Sequence, residues 1–101
     1  MQTIGKQIRK LRKDSGLPLR KVAASLDIDQ SILSKIERGE RNATKEQIIH
    51  IAQIFKVDKK KLLINYFSDK VIYELLNEEI AVDVLKVAEK KIKYLSQNKN
   101  V

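Results

Sequence analysis

The chain has 101 residues, no cysteine and a formal net charge of +8 at pH 7. This length suits one compact domain with at most one added element, and the lack of cysteine excludes disulfides and thiolate metal sites. The lack of cysteine also fits a cytosolic setting. No apolar run approaches the length of a membrane span, and the first residues lack the apolar stretch expected of a secretory leader.

The positive charge is confined to the first two thirds of the chain. Residues 1–65 hold 15 Lys and Arg against 7 Asp and Glu, whereas residues 66–101 hold 6 of each kind. A one-sided basic segment suits a polyanionic partner, and a soluble basic protein with no such partner is the alternative. Because the composition changes at this point, the chain is divided into predicted segments 1–66 and 67–101.

The first three helices are predicted from apolar residues that recur every three or four positions. They cover Thr3–Asp14, Pro18–Leu26 and Gln30–Arg38. Pro18 suits the first turn of the second helix because a residue there has no intrahelical partner for its N–H. Asp29 is expected to cap the third helix.

Two further helices complete the basic segment. Thr44 and Gln47 have the spacing of a capping box, which predicts a fourth helix over Lys45–Phe55. Asp58 is expected to cap a fifth helix over Lys59–Tyr66. The sequence therefore predicts an all-α fold with five helices before residue 67.

The segment 67–101 predicts a short helix over Asp69–Leu76, capped by Ser68, and a long helix that is capped by Asn77 and runs to about Gln97. The apolar stripe of the long helix has three alternative roles: intramolecular core, cover for the fifth helix, or contact between two copies of the chain. We favour the contact between copies because a five-helix domain of this size does not need the stripe as core. The predicted dimer seam comprises Val84, Leu85, Ala88, Ile92 and Leu95.

Residues 18–39 predict two short helices that cross closely at a tight turn. Ala23 supplies the small side chain that such a crossing needs, and Asp27 can adopt a positive φ in the turn. Once Leu33 and Ile36 face inward, the polar side chains of the second helix must face outward. These outward side chains are Gln30, Ser31, Ser34 and Lys35. The arrangement is the helix-turn-helix pattern, which lays one helix in the DNA major groove.

The outward side chains suit recognition of base edges. Glutamine pairs with adenine and lysine with guanine, while serine contacts several bases. A mostly basic rim surrounds them and is expected to contact phosphates. The rim comprises Arg20, Lys21, Arg38, Arg41, Asn42 and Lys45. The alternative is a plain helical hairpin, which explains the apolar spacing but not the basic rim.

Three segments of the chain together resemble a known family. They are Ile4-Gly-Lys-Gln-Ile-Arg-Lys-Leu-Arg, Leu26-Asp-Ile-Asp-Gln-Ser and Ser34-Lys-Ile-Glu-Arg-Gly-Glu-Arg. Their combination is similar to the XRE/Cro-type family of bacterial and phage repressors over about Ile4–Asn65. The resemblance implies a five-helix repressor-like DNA-binding domain over residues 1–66. Residues 67–101 would then be a C-terminal helical extension that serves dimerisation.

The resemblance also implies roles for particular residues. The positions that read bases in the family map onto Gln30 and Ser31, and one turn later onto Lys35 with Ser34 beside it. An ion pair that is common inside this fold maps onto Arg12 and Glu37.

Two positions depart from the family pattern. Asp27 stands in the turn where the family often has glycine, and Leu19 stands where it often has glutamine. The second departure removes one phosphate contact, which Arg20 or Lys21 is expected to replace.

The sequence thus predicts a cytoplasmic or nucleoid-bound regulator that binds an inverted repeat of double-stranded DNA as a homodimer. We expect no enzymatic activity, cofactor, metal, membrane or small-molecule substrate, and the single histidine, His50, is expected to be exposed. A controller of a restriction–modification system or a silencer from a mobile element is a variant within the family. The alternative from another class is an antitoxin-like module whose C-terminal helices bind a partner protein.

Overall fold

The computed structural model describes residues 2–98 of the chain. Over this range the chain forms six α-helices and no β-strand. The helices are α1 (Ile4–Asp14), α2 (Leu19–Ser25), α3 (Gln30–Glu37), α4 (Lys45–Phe55), α5 (Lys59–Leu75) and α6 (Ala81–Gln97). The predicted all-α fold is therefore confirmed. None of the helices in the described range is long and apolar enough to cross a lipid bilayer.

Helices α4 and α5 begin where local hydrogen-bonding signals in the sequence place them. At α4, the Gln47 N–H donates to Thr44 Oγ1 at 3.1 Å, and the Thr44 N–H donates to Gln47 Oε1 at 2.8 Å. At α5, the carboxylate of Asp58 accepts the N–H of Lys60 at 2.9 Å. Asp29 occupies the N-cap position of α3, but its side chain makes no capping hydrogen bond. The predicted cap of α3 is therefore correct in position only.

The separate short helix predicted over Asp69–Leu76 is wrong, because α5 continues without a break to Leu75. Residues 59–76 contain no glycine or proline, so nothing in this stretch interrupts the helical hydrogen bonds. Ser68 does not cap a new helix; its hydroxyl donates to the carbonyl of Asn65 at 2.8 Å. The C-terminal extension therefore consists of the end of α5 followed by α6.

The last helix begins later than predicted. α6 begins at Ala81 rather than just after Asn77, and it ends at Gln97 as expected. The intervening residues form turns, in which the Glu78 N–H donates to the carbonyl of Leu75 at 3.0 Å. Asn77 therefore belongs to the turn that ends α5 and is not a cap of α6.

The hydrophobic core lies among the first five helices. Its largest fully buried side chains are Ile8, Val22, Leu33, Ile48, Ile51 and Leu62. The chain divides into two compact units between Lys70 and Val71, four residues beyond the predicted boundary. The first unit includes the helix-turn-helix segment.

Helix α1 is held by its neighbours at three points. A Cβ added at Gly5 would lie 2.5 Å from the carbonyl oxygen of Ile36, so the backbones of α1 and α3 nearly touch there. From α5, the side-chain amide of Asn65 donates to Gln7 Oε1 at 2.6 Å. A carboxylate oxygen of Asp69 accepts the Ile4 N–H at 2.8 Å. These contacts fix α1 against both α3 and α5.

Candidate nucleic-acid interface

The turn between α2 and α3 sets the position of the second helix of the motif. Asp27 has a φ of 56°, the left-handed conformation that aspartate adopts more readily than bulkier residues. The N–H of Ile28 donates to the carbonyl of Ala23 at 3.1 Å, and Ala23 is buried where the two helices pack together. The turn predicted from the sequence therefore joins two helices in close contact.

The buried face of α3 determines which of its side chains reach solvent. Leu33 and Ile36 are buried in the core. Three of the four side chains predicted to read bases are exposed, and we call them the recognition edge: Gln30, Ser31 and Lys35. Ser34, the fourth, is half-buried. Ser34 is therefore less accessible to a ligand than the other three residues.

Arg12 and Glu37 form a two-pronged ion pair between α1 and α3. Nε of Arg12 donates to Oε2 of Glu37 at 2.8 Å, and Nη2 donates to Oε1 at 3.0 Å. Nη1 of Arg12 also donates to the carbonyl of Leu17 at 3.2 Å. The hydrogen bond to Glu37 raises the pKa of Arg12 above its ordinary value, although burial opposes this shift. One guanidinium thus fixes the end of α3 and the residues just before α2 relative to α1.

The predicted phosphate contacts lie in the first turn of α2, around the α3–α4 loop, and at the first residue of α4. Five of them are exposed: Arg20, Lys21, Arg41, Asn42 and Lys45. The four cations in this set form no ion pair within residues 2–98. Arg38 is also exposed, but it is paired with Glu40. Asp27 and Asp29 place two exposed carboxylates at the turn, so the basic rim is interrupted there.

The residue that holds the loop between α3 and α4 is Tyr66, which was not predicted from the sequence. Tyr66 is only 4% exposed, and its hydroxyl donates to the carbonyl of Ala43 at 2.7 Å. Ala43 is itself buried within the segment 41–45, which carries three of the predicted phosphate contacts. A signal was available, because Tyr66 lies one turn after apolar Leu62 and a buried tyrosine needs a hydrogen-bond partner.

The interface offers hydrogen-bonding groups and cations. The side-chain amide of Gln30 both donates and accepts, the hydroxyl of Ser31 does the same, and the ammonium of Lys35 donates only. Within residues 2–98, no group of three or more metal-ligating side chains comes together. The arrangement can therefore pair with base edges and neutralise phosphates.

A comparison of the chain with models of protein families matches residues 5–66 to the family described as the helix-turn-helix domain. Among solved structures, the chain is similar to the restriction-modification controller protein C.AhdI from Aeromonas hydrophila. That match has 29% sequence identity and a TM-score of 0.54, and it covers 58% of this chain and 89% of the controller. The comparison with curated proteins found no match.

Two further solved structures share the fold at lower identity. The clp gene regulator ClgR from Corynebacterium glutamicum is 24% identical, with a TM-score of 0.55, over 65% of this chain and 86% of that chain. A chain of the SinR protein/SinI protein complex is 21% identical, with a TM-score of 0.56, over 98% of this chain and 100% of that chain. The chain therefore belongs to the helix-turn-helix domain family and is an XRE/Cro-type DNA-binding transcriptional regulator.

Proposed function

We propose that this regulator binds an inverted repeat of double-stranded DNA as a homodimer, with the recognition edge in the major groove. The observation that carries the proposal is the exposure of Gln30, Ser31 and Lys35 on a helix whose opposite face is buried through Leu33 and Ile36. A helix anchored in this way can enter the groove without loss of core packing.

Specificity and affinity are divided between two sets of residues in this proposal. The recognition edge contacts base edges, with Gln30 suited to adenine and Lys35 to guanine. The exposed rim, represented by Arg41 and Lys45, contacts phosphates and gives affinity that does not depend on sequence. Arg38 contributes less than the other cations because Glu40 already neutralises it.

We place the homodimer contact on α6, which has no buried residue. Of the predicted seam, Val84 and Ala88 are half-buried, while Leu85, Ile92 and Leu95 are exposed. Apolar side chains clustered on a surface mark an interaction site. A two-fold dimer would require half-sites whose centres lie about 34 Å apart, or a multiple of that distance.

The regulator would act in the cytoplasm by occupying promoter DNA. This action needs no catalytic group and no cofactor, because the contacts are hydrogen bonds and ion pairs. The same exposed α6 surface favours a second candidate function, binding of a different protein by an antitoxin-like module. Hydrogen exchange on the full chain separates the two: protection of α6 in the absence of any partner contradicts the antitoxin-like function.

A binding selection from a random pool of duplex DNA tests the proposal. We expect the full chain to enrich a single site with two-fold symmetry and a fixed half-site spacing. Light scattering on the complex should then give two chains per duplex. Failure to enrich any sequence at low salt would overturn the proposal, and enrichment of an unpaired half-site would overturn its homodimer part.

A further inference from the structure

Helix α6 carries two neighbouring surface grooves on one side. The groove nearer the start of the helix has a volume of about 440 Å³, and the groove nearer its end has a volume of about 400 Å³. Both grooves include Val87 and Lys91 in their lining. They therefore form one continuous face along the helix.

This groove face has the spacing of a helix–helix contact. Its central positions alternate by four and three residues: Ile80, Val84, Val87, Lys91 and Tyr94. The centre of this stripe lies about a quarter of a turn away from the centre of the seam predicted from the sequence. The two share Val84, and Ala88 and Leu95 of the seam also line the edges of the grooves. Ile80, Val87 and Tyr94 are each at least half exposed. A heptad-like stripe that is apolar at four of its five positions is typical of a helix that packs against another helix.

Besides Lys91, which lines both grooves, each groove has one charged residue on the same flank of α6. Asp83 lines the first groove and Lys90 lines the second. They are seven residues apart, which corresponds to about 10.5 Å along the helix axis. Neither forms an ion pair within residues 2–98, whereas Glu89 and Lys93, on another side of α6, are joined at 2.9 Å.

The charges around α6 are separated along its length. The acidic residues Glu74, Glu78, Glu79 and Asp83 come first, and the lysines Lys86, Lys90, Lys91 and Lys93 follow, with Glu89 as the only acid among them. Parallel pairing of two such helices would bring like charges together. Antiparallel pairing brings opposite charges together and also aligns the helix dipoles favourably.

We propose that α6 pairs antiparallel with α6 of a second copy of this chain through the groove face. Val84 then lies opposite Val87 of the second copy, and Asp83 lies beside Lys90 of the second copy. Because the pairing is two-fold symmetric, each of these contacts occurs twice. The pairing rests on the proposed homodimer and specifies its geometry. Lys91 lies within the apolar stripe, where a lysine disfavours alternative registers at some cost in stability.

Charge reversal on the full chain tests the pairing. Asp83→Lys places two lysines together in the homodimer, and Lys90→Asp places two aspartates together, so each variant should dimerise about tenfold more weakly than the unchanged chain. An equal mixture of the two variants should form a heterodimer, because both flanking pairs become attractive. Lys86→Asp makes the same change of charge outside the groove face and serves as the control. Equally tight homodimers of both variants, or no preference for the heterodimer, would overturn the proposal.

Disulfide formation gives a second, independent readout. The chain has no native cysteine. In the double variant Asp83→Cys/Lys90→Cys, every disulfide must therefore involve the two introduced cysteines. Antiparallel pairing predicts a covalent dimer joined between positions 83 and 90, which mass spectrometry of a digest identifies. A dimer that lacks this link would overturn the pairing and leave the DNA-binding proposal intact. A chain that stays monomeric even on DNA would overturn the pairing and the homodimer together.

Discussion

Gln30 lies exposed at the first residue of α3, where a side-chain amide can reach an adenine edge. We expect Gln30→Ala to weaken binding to the preferred duplex by about 1–3 kcal/mol and to relax the base preference at one position. Titrations with the selected site and its single-base variants measure both effects. Gln53→Ala removes an exposed amide from α4 and is the matched control. Equal weakening on every duplex would contradict base recognition by Gln30.

Arg41 is exposed in the loop after α3 and forms no ion pair within the described residues. A phosphate contact there adds affinity for any sequence and releases bound counterions. We expect Arg41→Ala to weaken all duplexes about equally and to reduce the slope of log K against log salt by about 1. Arg38→Ala should reduce this slope less, because Arg38 is paired with Glu40. A change in base preference for Arg41→Ala would refute the phosphate assignment.

Tyr66 anchors the same loop from a different helix. Tyr66→Phe leaves the buried carbonyl of Ala43 without its donor, which should lower the free energy of unfolding by about 1–3 kcal/mol. Urea denaturation measures the loss. Tyr73→Phe removes a hydroxyl from a side chain that is 74% exposed and should have no comparable effect. Equal stability of the two variants would show that the hydrogen bond does not hold the loop.

The exposure of Gln30, Ser31 and Lys35 could be predicted from the sequence, whereas the hydrogen-bond partner of Tyr66 could not. Helical periodicity assigns an inward face to α3 through Leu33 and Ile36, and the outward side chains follow from that face. The role of Tyr66 depends on a contact with Ala43, 23 residues earlier in the chain. Such a contact has no periodic signal. It becomes visible only when α5 is packed against the loop.

The sequence predicts the beginning of α4 correctly, but it predicts neither the continuation of α5 to Leu75 nor the beginning of α6 at Ala81. Thr44 and Gln47 begin α4 through hydrogen bonds over three residues, so the sequence contains the whole signal. The sequence predicts too early an end for α5, because Ser68 and Asp69 have the pattern of a helix start. Asp69 instead accepts the N–H of Ile4 in α1, a contact across 65 positions. The local sequence around a polar residue such as Asp69 does not show whether its side chain caps the helix that contains it or the end of a different helix.

The close approach of α1 to the end of α3 leads to a prediction with an unexpected sign. Within a helix, alanine is normally favoured over glycine by up to about 1 kcal/mol. At Gly5, however, an added Cβ would lie 2.5 Å and 2.7 Å from the carbonyl oxygens of Ile36 and Glu37. These are backbone atoms that cannot rotate aside, so we expect Gly5→Ala to destabilise the fold by about 1–3 kcal/mol.

Thermal unfolding measures this effect, with Lys6→Ala at the exposed neighbouring position as the control. The displaced end of α3 carries Glu37, so the ion pair with Arg12 should weaken as well. A melting temperature of Gly5→Ala above that of the unchanged chain would mean that helix propensity outweighs the contact.

At the scale of the whole molecule, the excess of positive charge in residues 1–65 lies in the part of the chain that carries the recognition edge. Composition alone indicated this asymmetry, and it suits a chain whose first unit approaches a polyanion. The face used by α6 was harder to predict. The helix is apolar over nearly half its circumference, so periodicity allowed the seam through Ile92 as readily as the groove face through Val87.

The effect of a new charge on α6 separates these two faces in the intact protein. Val87 and Val82 are both exposed valines of α6 on different sides of the helix, which makes them a matched pair. Val87→Asp places a carboxylate opposite Val84 of the other copy, where it would be desolvated against apolar side chains. We expect Val87→Asp to make the chain monomeric. Because a monomer binds each half-site separately, the variant should also bind the full operator at least about tenfold more weakly.

Val82→Asp should leave both properties unchanged, because position 82 lies away from the groove face. Light scattering gives the mass of each variant, and titration with the full operator and with a single half-site gives the affinities. The affinity for a single half-site should be the same for the unchanged chain, Val87→Asp and Val82→Asp, because none of these changes alters α3. If Val87→Asp remains dimeric while Ile92→Asp becomes monomeric, the dimer uses the seam predicted from the sequence, and the groove face has another role.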